Sequence, residues 1–222
     1  MNGVHHEISS HGDVLLAPFE SRPNNSVDIL LDVMHWVVQR CAKPRPLRLF
    51  VHTNDTVFVD VITLENYSLN KTDRPSFYCK PVRGVEVGRD PERANYVPRH
   101  LFRGPVFPPY CEGDAFFING SHLASLHRAS LYALHYGLVP QYVTGHMAVL
   151  ADMGHVDVSR MMVDVGGVVG DRAARPNLFM SGVPVKTWTD VWLRSLYNQT
   201  RHAPLERNLT GMILAGLKAA QN

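Results

Sequence analysis

The chain has 222 residues, of which 45% are hydrophobic and 19% are charged, and its formal net charge is +2 with the 12 histidines counted as neutral. This composition is typical of a globular protein with a sizeable core and excludes a largely disordered chain. No dense basic run occurs, so nucleic acid is not expected as a partner. No apolar run approaches the roughly 18 residues of a membrane span, and the first residues do not resemble a signal peptide. We therefore expect no transmembrane segment or anchor in this chain.

The first elements along the chain are a strand and a long helix. Residues 12–16, Gly-Asp-Val-Leu-Leu, are typical of a short strand, which Pro18 closes. From residue 26 to residue 41, apolar side chains recur at helical spacing, and Ser26 is a suitable N-cap. Pro44 and Pro46 end the pattern because proline cannot continue a helix. The sequence therefore predicts a helix over residues 26–41.

A polar corner follows the next predicted strand. Residues 47–53 alternate apolar and more polar side chains, which predicts a strand inside a sheet, and apolar residues resume at 57–59. Between them stand Asn54, Asp55 and Thr56. Ligands gather at the carboxyl ends of strands in open α/β sheets, so an acidic corner there suits a metal-bridged phosphate. The alternative is an ordinary turn, because Asn and Asp stabilise turns through their own side chains.

Two prolines and a tyrosine precede another predicted strand, which extends to residue 118. In the run Pro108-Pro109-Tyr110-Cys111-Glu112-Gly113-Asp114, the prolines restrict the backbone before the strand. Tyr110 offers a flat face and a hydroxyl to a sugar ring, and Gly113 lets the backbone approach a ligand closely. This composition predicts a sugar pocket, and its alternative is a Pro-aromatic turn that binds nothing.

The remaining elements are predicted from spacing and turn residues. Residues 63–76 are interpreted as a surface connection and residues 77–82 as a strand. Ser121 is expected to cap the next helix, and an amphipathic helix is expected at residues 188–196. A last helix is predicted in the tail, over residues 205–217.

Three segments together resemble the β-1,3-galactosyltransferase family, which is glycosyltransferase family 31. They are residues 52–60, residues 108–113 and the run Tyr142-Val143-Thr144-Gly145. The resemblance covers about residues 7–154 and implies an α/β fold, an incomplete GT-A-like nucleotide-diphospho-sugar transferase with a mixed central sheet. It corresponds to the later two thirds of the family's catalytic domain. On this basis we predict one domain over residues 1–222 with a C-terminal helical extension.

The resemblance also implies a reaction and a location. Family members transfer a hexose from a UDP-sugar to a glycan acceptor in the Golgi apparatus, by an inverting β-1,3 displacement that uses Mn. The resemblance places the donor and metal site at Asn54, Asp55 and Thr56, with Asp55 as the metal ligand. It places the sugar pocket at five residues of the Pro-aromatic segment, namely Pro109, Tyr110, Glu112, Gly113 and Asp114.

The same comparison shows departures from the family pattern. Pro140 occupies the position of the expected general base, and Thr56 occupies that of an expected metal-contacting acid. Asp114 and Asp152 are the acids that would have to stand in for the base. Two other hypotheses follow, a catalytically silent relative that binds glycan or a partner glycosyltransferase, and a truncated gene product.

Cysteines and glycosylation motifs bear on the compartment. The three cysteines are too few for a disulfide scaffold, and no CxxC pair suggests zinc. If one bridge forms in an oxidising lumen, we expect it to use Cys41 or Cys111. The N-x-S/T motif occurs at seven asparagines, which favours a secretory location: Asn24, Asn54, Asn66, Asn70, Asn119, Asn198 and Asn208.

Overall fold

The computed structural model describes residue 6 and residues 9–10, 26–41, 46–69, 74–93, 95–166 and 177–200. The strand predicted over residues 12–16 and the tail helix predicted over residues 205–217 lie outside the described residues. The chain divides into two compact units, Met1–His52 with Asp73–Asp157 and Thr53–Thr72 with Val158–Asn222. The single domain predicted over residues 1–222 stays a prediction.

The described helices and strands are interspersed along the chain, and short 3-10 turns join some of them. In order they are α1 (Ser26–Arg40), β1 (Leu49–Thr53), β2 (Val57–Val59), α2 (Val61–Leu69), β3 (Ser76–Val82), β4 (Tyr110–Asn119), α3 (Leu123–Ala129), a π-helix (Pro140–His146), α4 (Met147–Leu150), β5 (Gly154–Asp157), β6 (Met162–Asp164), β7 (Phe179–Ser181) and α5 (Trp188–Thr200). The mixed α/β class is confirmed.

The first unit contains a four-stranded sheet in the order β1-β4-β3-β5. Strand β3 pairs antiparallel with β4 and parallel with β5, so the sheet is mixed. Among the described strands β1 ends this order, whereas we expected it inside a sheet. Helix α1 buries Val27, Leu30 and Met34 in the main core, where they join Phe77 and Ile118 of the sheet. The apolar spacing that predicted this helix therefore also marks the face that it buries.

The second unit contains a three-stranded sheet in the order β2-β7-β6. Strand β7 pairs antiparallel with β2 and parallel with β6. A smaller core forms around Phe58, Met180 and Val191, and the ring of Trp188 lies edge-on to Phe58 at 6.0 Å between centroids. The predicted helix around residues 188–196 is confirmed as α5.

Helix α2 corrects the interpretation of residues 63–76 as a surface connection. Asp60, only 2% exposed, precedes the helix and accepts two hydrogen bonds from Thr63, from its backbone N–H and from its hydroxyl, both at 2.9 Å. A carboxylate that accepts from a first-turn N–H is an N-cap, and it stabilises the start of a helix. The signal was present in the sequence as Asp followed three residues later by Thr, but the turn-forming residues further along obscured it.

A second correction concerns the helix after β4. The side chain of Asn119, not Ser121, caps the 3-10 turn that leads into α3, and its Oδ1 accepts from the Ser121 N–H at 3.0 Å. The turn packs against the residues just before strand β1, because the Gly120 N–H donates to the Arg48 carbonyl at 2.9 Å. A Cβ on Gly120 would collide with the Leu47 carbonyl. Glycine is therefore required there by close packing of two backbones.

The long connection between β3 and β4 is held by one guanidinium. Arg89 donates to the carbonyls of Val97 at 2.6 Å, Phe102 at 2.9 Å and Gly104 at 2.6 Å. A cavity of about 570 Å³ lies beside it, and it is lined by Arg89, Tyr96, Val97, Pro98, Arg99 and His100. None of the site residues predicted from the sequence lines this cavity. Within the described part of the chain, no helix has the length and apolarity to cross a membrane.

Candidate functional site

The predicted acidic corner lies where the sequence placed it, directly after strand β1. Asn54, Asp55 and Thr56 are all exposed, and the Val57 N–H donates to the Asn54 carbonyl at 3.2 Å. The Thr53 hydroxyl donates to the same carbonyl at 3.2 Å. This is the hydrogen-bond pattern of a β-turn. The corner therefore has the geometry of the turn alternative and still presents one carboxylate at the end of a strand.

The described residues of the corner do not by themselves form a binding site for Mn. Among the described residues, no group of three or more His, Cys, Asp or Glu side chains is arranged to hold an ion. A hard divalent cation takes several oxygen ligands, of which the protein supplies at least one or two carboxylates. The corner supplies Asp55 alone, since its neighbours are an amide and a hydroxyl. No step of the chemistry is therefore assigned to a metal.

The Pro-aromatic segment is covalently tied to the neighbouring strand. Cys111, at the start of β4, forms a disulfide with Cys79 of β3, and their Cα atoms are 5.6 Å apart. The expectation that a bridge would use Cys41 or Cys111 is confirmed for Cys111, whereas Cys41 is free and exposed. Beside the bridge, Lys80 Nζ and a Glu112 carboxylate oxygen form an exposed ion pair at 2.6 Å. Glu112 is therefore already paired within the protein.

Gly113 lies in an irregular part of strand β4. Tyr78 pairs with Phe117 and Lys80 with Glu112, so two residue steps on β3 face five steps on β4. Gly113 has φ +89°, which favours glycine, and a Cβ built there would meet nothing within 4 Å. Such bulges re-aim side chains and are common beside active sites. The space around Gly113 is open, the close approach of a ligand there stays a prediction, and Asp114 follows it in the same strand.

Tyr110 is far less accessible than a sugar-stacking residue would be. It is 8% exposed, and its ring packs edge-on against Phe107 with centroids 6.2 Å apart. Gly145 packs behind it, since a Cβ there would lie 3.2 Å from the Tyr110 Cβ. The sugar-stacking role of Tyr110 stays a prediction. The structure gives its ring a role in core packing, which the sequence alone did not distinguish from stacking on a sugar.

The position of the expected general base begins a π-helix. Pro140 is its first residue, and the Met147 N–H that follows the helix donates to the Tyr142 carbonyl five residues back. Thr144, fully buried within it, accepts from the Cys111 N–H at 2.8 Å and donates to the Pro140 carbonyl at 2.6 Å. π-Helical segments are rare and often lie at functional sites. One hydroxyl therefore joins the Pro-aromatic segment to the base position, and sequence reasoning missed its role.

The aromatic side chains packed at the π-helix are neutral. Burial, and secondarily the Asp28 carboxylate, raises the pKa of Tyr142 to about 12, and its hydroxyl donates to the Ala133 carbonyl at 2.7 Å. Burial lowers the pKa of His146, whose ring lies among Tyr142, Tyr136 and Phe102. Neutral aromatic groups that are packed in this way cannot serve as the missing carboxylate.

His155 supports the same helix from strand β5. Its Nε2 lies 2.7 Å from the Thr144 carbonyl, which requires the Nε2–H tautomer, and its ring stacks on Phe77 at 5.7 Å. Burial lowers the pKa of His155, with Arg83 acting in the same direction and the bond to Thr144 opposing it. The neutral imidazole is therefore a structural donor to the π-helix.

Asp152 is the stand-in base whose position the structure shows most clearly. It is exposed in the turn after α4, with φ 52° and its N–H donating to the Val149 carbonyl at 3.2 Å. Aspartate tolerates this left-handed conformation better than most residues. The turn accounts for Asp152 without a catalytic role.

The predicted site residues fall into two groups. Pro109, Tyr110, Glu112, Gly113, Asp114 and Pro140 belong to the first unit, where the Thr144 hydrogen bonds connect the two segments that contain them. Asn54, Asp55 and Thr56 belong to the second unit.

The mixed α/β architecture and the disulfide-tied Pro-Pro-Tyr-Cys segment are compatible with the glycosyltransferase class that the resemblance implies. The model of the Galactosyltransferase family matches residues 1–159. The chain belongs to the galactosyltransferase family, as the resemblance implied.

Two human proteins are similar to this chain. Acetylgalactosaminyl-O-glycosyl-glycoprotein beta-1,3-N-acetylglucosaminyltransferase is 27% identical over 164 residues, which cover 72% of this chain and 42% of the relative. Beta-1,3-galactosyltransferase 9 is 25% identical over 119 residues, which cover 52% of this chain and 31% of the relative. The chain therefore spans less than half the length of the curated relatives it matches.

Proposed function

We propose that this chain acts in glycan synthesis in the Golgi, as a β-1,3-hexosyltransferase that uses a UDP-sugar donor and a glycan acceptor. The family match over residues 1–159 carries this proposal, and the names of both human relatives describe β-1,3 transfer. The Cys79–Cys111 bridge supports the location, because disulfides persist in oxidising compartments. A GT-A-like arrangement of the strands is part of the same proposal.

Within this proposal each group of predicted residues has its own role. The open backbone at Gly113 and the adjoining Pro109 and Tyr110 form the side that receives sugar, and the Thr144 hydrogen bonds fix its shape. Asp55 presents a carboxylate toward the donor. The acceptor hydroxyl must lose a proton as it attacks, and a positioned base contributes roughly 10²–10⁴-fold to such a step. Asp114 or Asp152 would have to serve as that base.

A second candidate function is glycan or partner-transferase binding without transfer. The geometry at Pro140 favours it, since the position of the expected base holds a ring without a titratable group and its carbonyl is bonded to Thr144. The lone carboxylate of the Asn54-Asp55-Thr56 turn favours it as well. Binding needs neither a base nor a metal, so it survives both replacements.

Release of UDP separates the two candidates. The purified chain is incubated with UDP-galactose or UDP-N-acetylglucosamine and with galactose- or N-acetylgalactosamine-terminated oligosaccharides, with and without Mn. Transferase function predicts acceptor-dependent UDP release and a β-1,3-linked product, whereas the silent function predicts glycan retention without release. The absence of both UDP release and glycan retention would contradict both functions.

Variants then assign the carboxylates. If transfer occurs, Asp114→Asn or Asp152→Asn should lower the rate by 10²-fold or more for whichever acid is the base. Glu112→Gln is the matched control, because Glu112 is an exposed acid of the same strand as Asp114 that is already paired with Lys80. Equal losses in all three variants would argue against a specific base.

A further inference from the structure

The corner after strand β1 also has the features of a modification site. Asn54-Asp55-Thr56 matches the N-x-S/T acceptor motif, and all three residues are exposed. Only the backbone carbonyl of Asn54 is engaged in the turn, by the Val57 N–H and the Thr53 hydroxyl. Within the part of the chain that the structure describes, the Asn54 amide has no hydrogen-bond partner. An attached sugar would therefore displace no existing bond.

Other motifs in the described residues lack this combination. The Asn119 side chain accepts from the Ser121 N–H and, at 2.8 Å, from its hydroxyl, so both functional residues of that motif are bonded to each other. The residue between them, Gly120, is buried against Leu47. Asn66 lies within helix α2 and Asn198 within helix α5, where the backbone is not in a turn. Accessibility, turn geometry and an uncommitted amide coincide at Asn54.

We infer that Asn54 is an N-glycosylation site of this protein. In the reaction, a bond forms between the Asn54 amide nitrogen and the anomeric carbon of an oligosaccharide, and the bond from that carbon to a lipid diphosphate breaks. The amide proton passes to a base of the host oligosaccharyltransferase, and the lipid diphosphate leaves. This inference rests on the secretory location proposed above and not on transferase activity.

The modification has a consequence for the corner itself. Asn54 is adjacent to Asp55, the carboxylate assigned to the UDP-sugar donor, so a branched glycan on Asn54 would crowd the space in front of that carboxylate. A glycan at this position would be expected to hinder a nucleotide diphosphate at the corner. If so, transfer activity would be lower in the modified protein, whereas binding through the Pro-aromatic segment would be unaffected.

The test compares two forms of the full chain in a eukaryotic cell line. One is expressed as it stands, and the other carries an added secretion leader. In the leader form, we expect the Asn54→Gln variant to run on a gel at an apparent mass lower by one glycan. Thr56→Ala, which removes the motif but keeps the asparagine, should give the same shift. Thr53→Ala is the control, because it removes a hydroxyl from the same turn and leaves the motif intact. Peptide N-glycosidase should convert Asn54 to Asp in the mass spectrum.

The outcomes separate this inference from the proposed location. Unmodified Asn54 in the leader form overturns the inference, whether or not other motifs carry glycans. Modification in the leader form keeps Asn54 as an acceptor whether or not the form expressed as it stands is modified, because the added leader supplies the entry into the secretory lumen. Enzymatic removal of the glycan, followed by the UDP-release assay, then tests whether the glycan blocks the donor corner.

Discussion

The Pro-aromatic segment and the acidic corner both match motifs of one family, yet the protein integrates them very differently. At the Pro-aromatic segment, Cys111 is bridged to Cys79, its N–H is bonded to Thr144, and Tyr110 is buried. At the corner, Asn54, Asp55 and Thr56 are exposed and held by turn hydrogen bonds to a single carbonyl. The first segment is needed for folding whatever its ligand, whereas the second can change with little structural cost.

This difference explains which family residues can be lost. A side chain that fills the core is retained by stability alone, because its removal leaves a cavity or an unpaired polar group. A side chain on an exposed turn is retained only while its chemistry is used. The replacement at Thr56 lies in the second class, and the retained Tyr110 and Cys111 lie in the first.

The largest expected effect is that of breaking the bridge. Cys111→Ser should lower the free energy of unfolding by about 3–4 kcal/mol, because the bridge closes a loop between residues 32 positions apart. Cys41→Ser is the control and should change it by less than about 0.5 kcal/mol, since Cys41 is free and exposed. Chemical denaturation without reductant measures both. Equal stability of the two variants would show that the bridge does not hold this segment.

A smaller loss is expected from the hydroxyl that joins the segment to the π-helix. Thr144→Val should destabilise the protein by about 1–3 kcal/mol, because the buried Cys111 N–H loses its acceptor. Thr144→Ser keeps the hydroxyl and should recover most of this loss. The comparison is made by urea unfolding, and a valine variant as stable as the serine variant would contradict the bond's importance.

Acid should weaken the first unit through three partly buried histidines. Burial lowers the pKa of His127, His146 and His155 below the ordinary 6.5. As the pH falls below about 6.5, the unfolded chain therefore binds more protons than the folded one. The contribution of these histidines to the free energy of unfolding is fully present above about pH 6.5 and is lost as the pH is lowered further. Urea midpoints measured between pH 8 and pH 5 test the sign, and His146→Phe should flatten the slope. Rising stability on acidification would be the opposite result.

The smallest effect is expected at the corner. Asp55→Ala should change the free energy of unfolding by less than about 0.5 kcal/mol, because the side chain is exposed. The matched acid in the same unit is Asp60, and Asp60→Ala should cost about 1 kcal/mol through loss of the α2 cap. Thermal unfolding compares the two. A large loss for Asp55→Ala would mean that the corner is structural after all.

The spacing of apolar residues predicted the helices and strands that bury one face in the core. Helix α1, strand β3 and the strand before the corner were predicted closely because their apolar spacing marks the face that meets the core. Helix α2 was missed because its start depends on one cap, Asp60, and its end falls among residues that also form turns.

The tertiary features of the site were less accessible to sequence reasoning. The pairing of Cys111 with Cys79 depends on two strands whose register places their Cα atoms 5.6 Å apart. The role of Thr144 depends on a hydrogen bond across 33 residues. The burial of Tyr110 depends on Gly145, which the motif contains but does not explain. These distances are set by packing, so composition and spacing alone do not contain them.

The guanidinium of Arg89 makes the loop beside the cavity tolerant of variation. Its three carbonyl acceptors are spread over positions 8 to 15 residues further along the chain, so one side chain ties three points of the loop, alongside Val97 and Phe107, which pack in the core. Arg99 and His100 lie on that loop, exposed. Replacing them would therefore change the lining of the cavity and leave the three Arg89 hydrogen bonds intact.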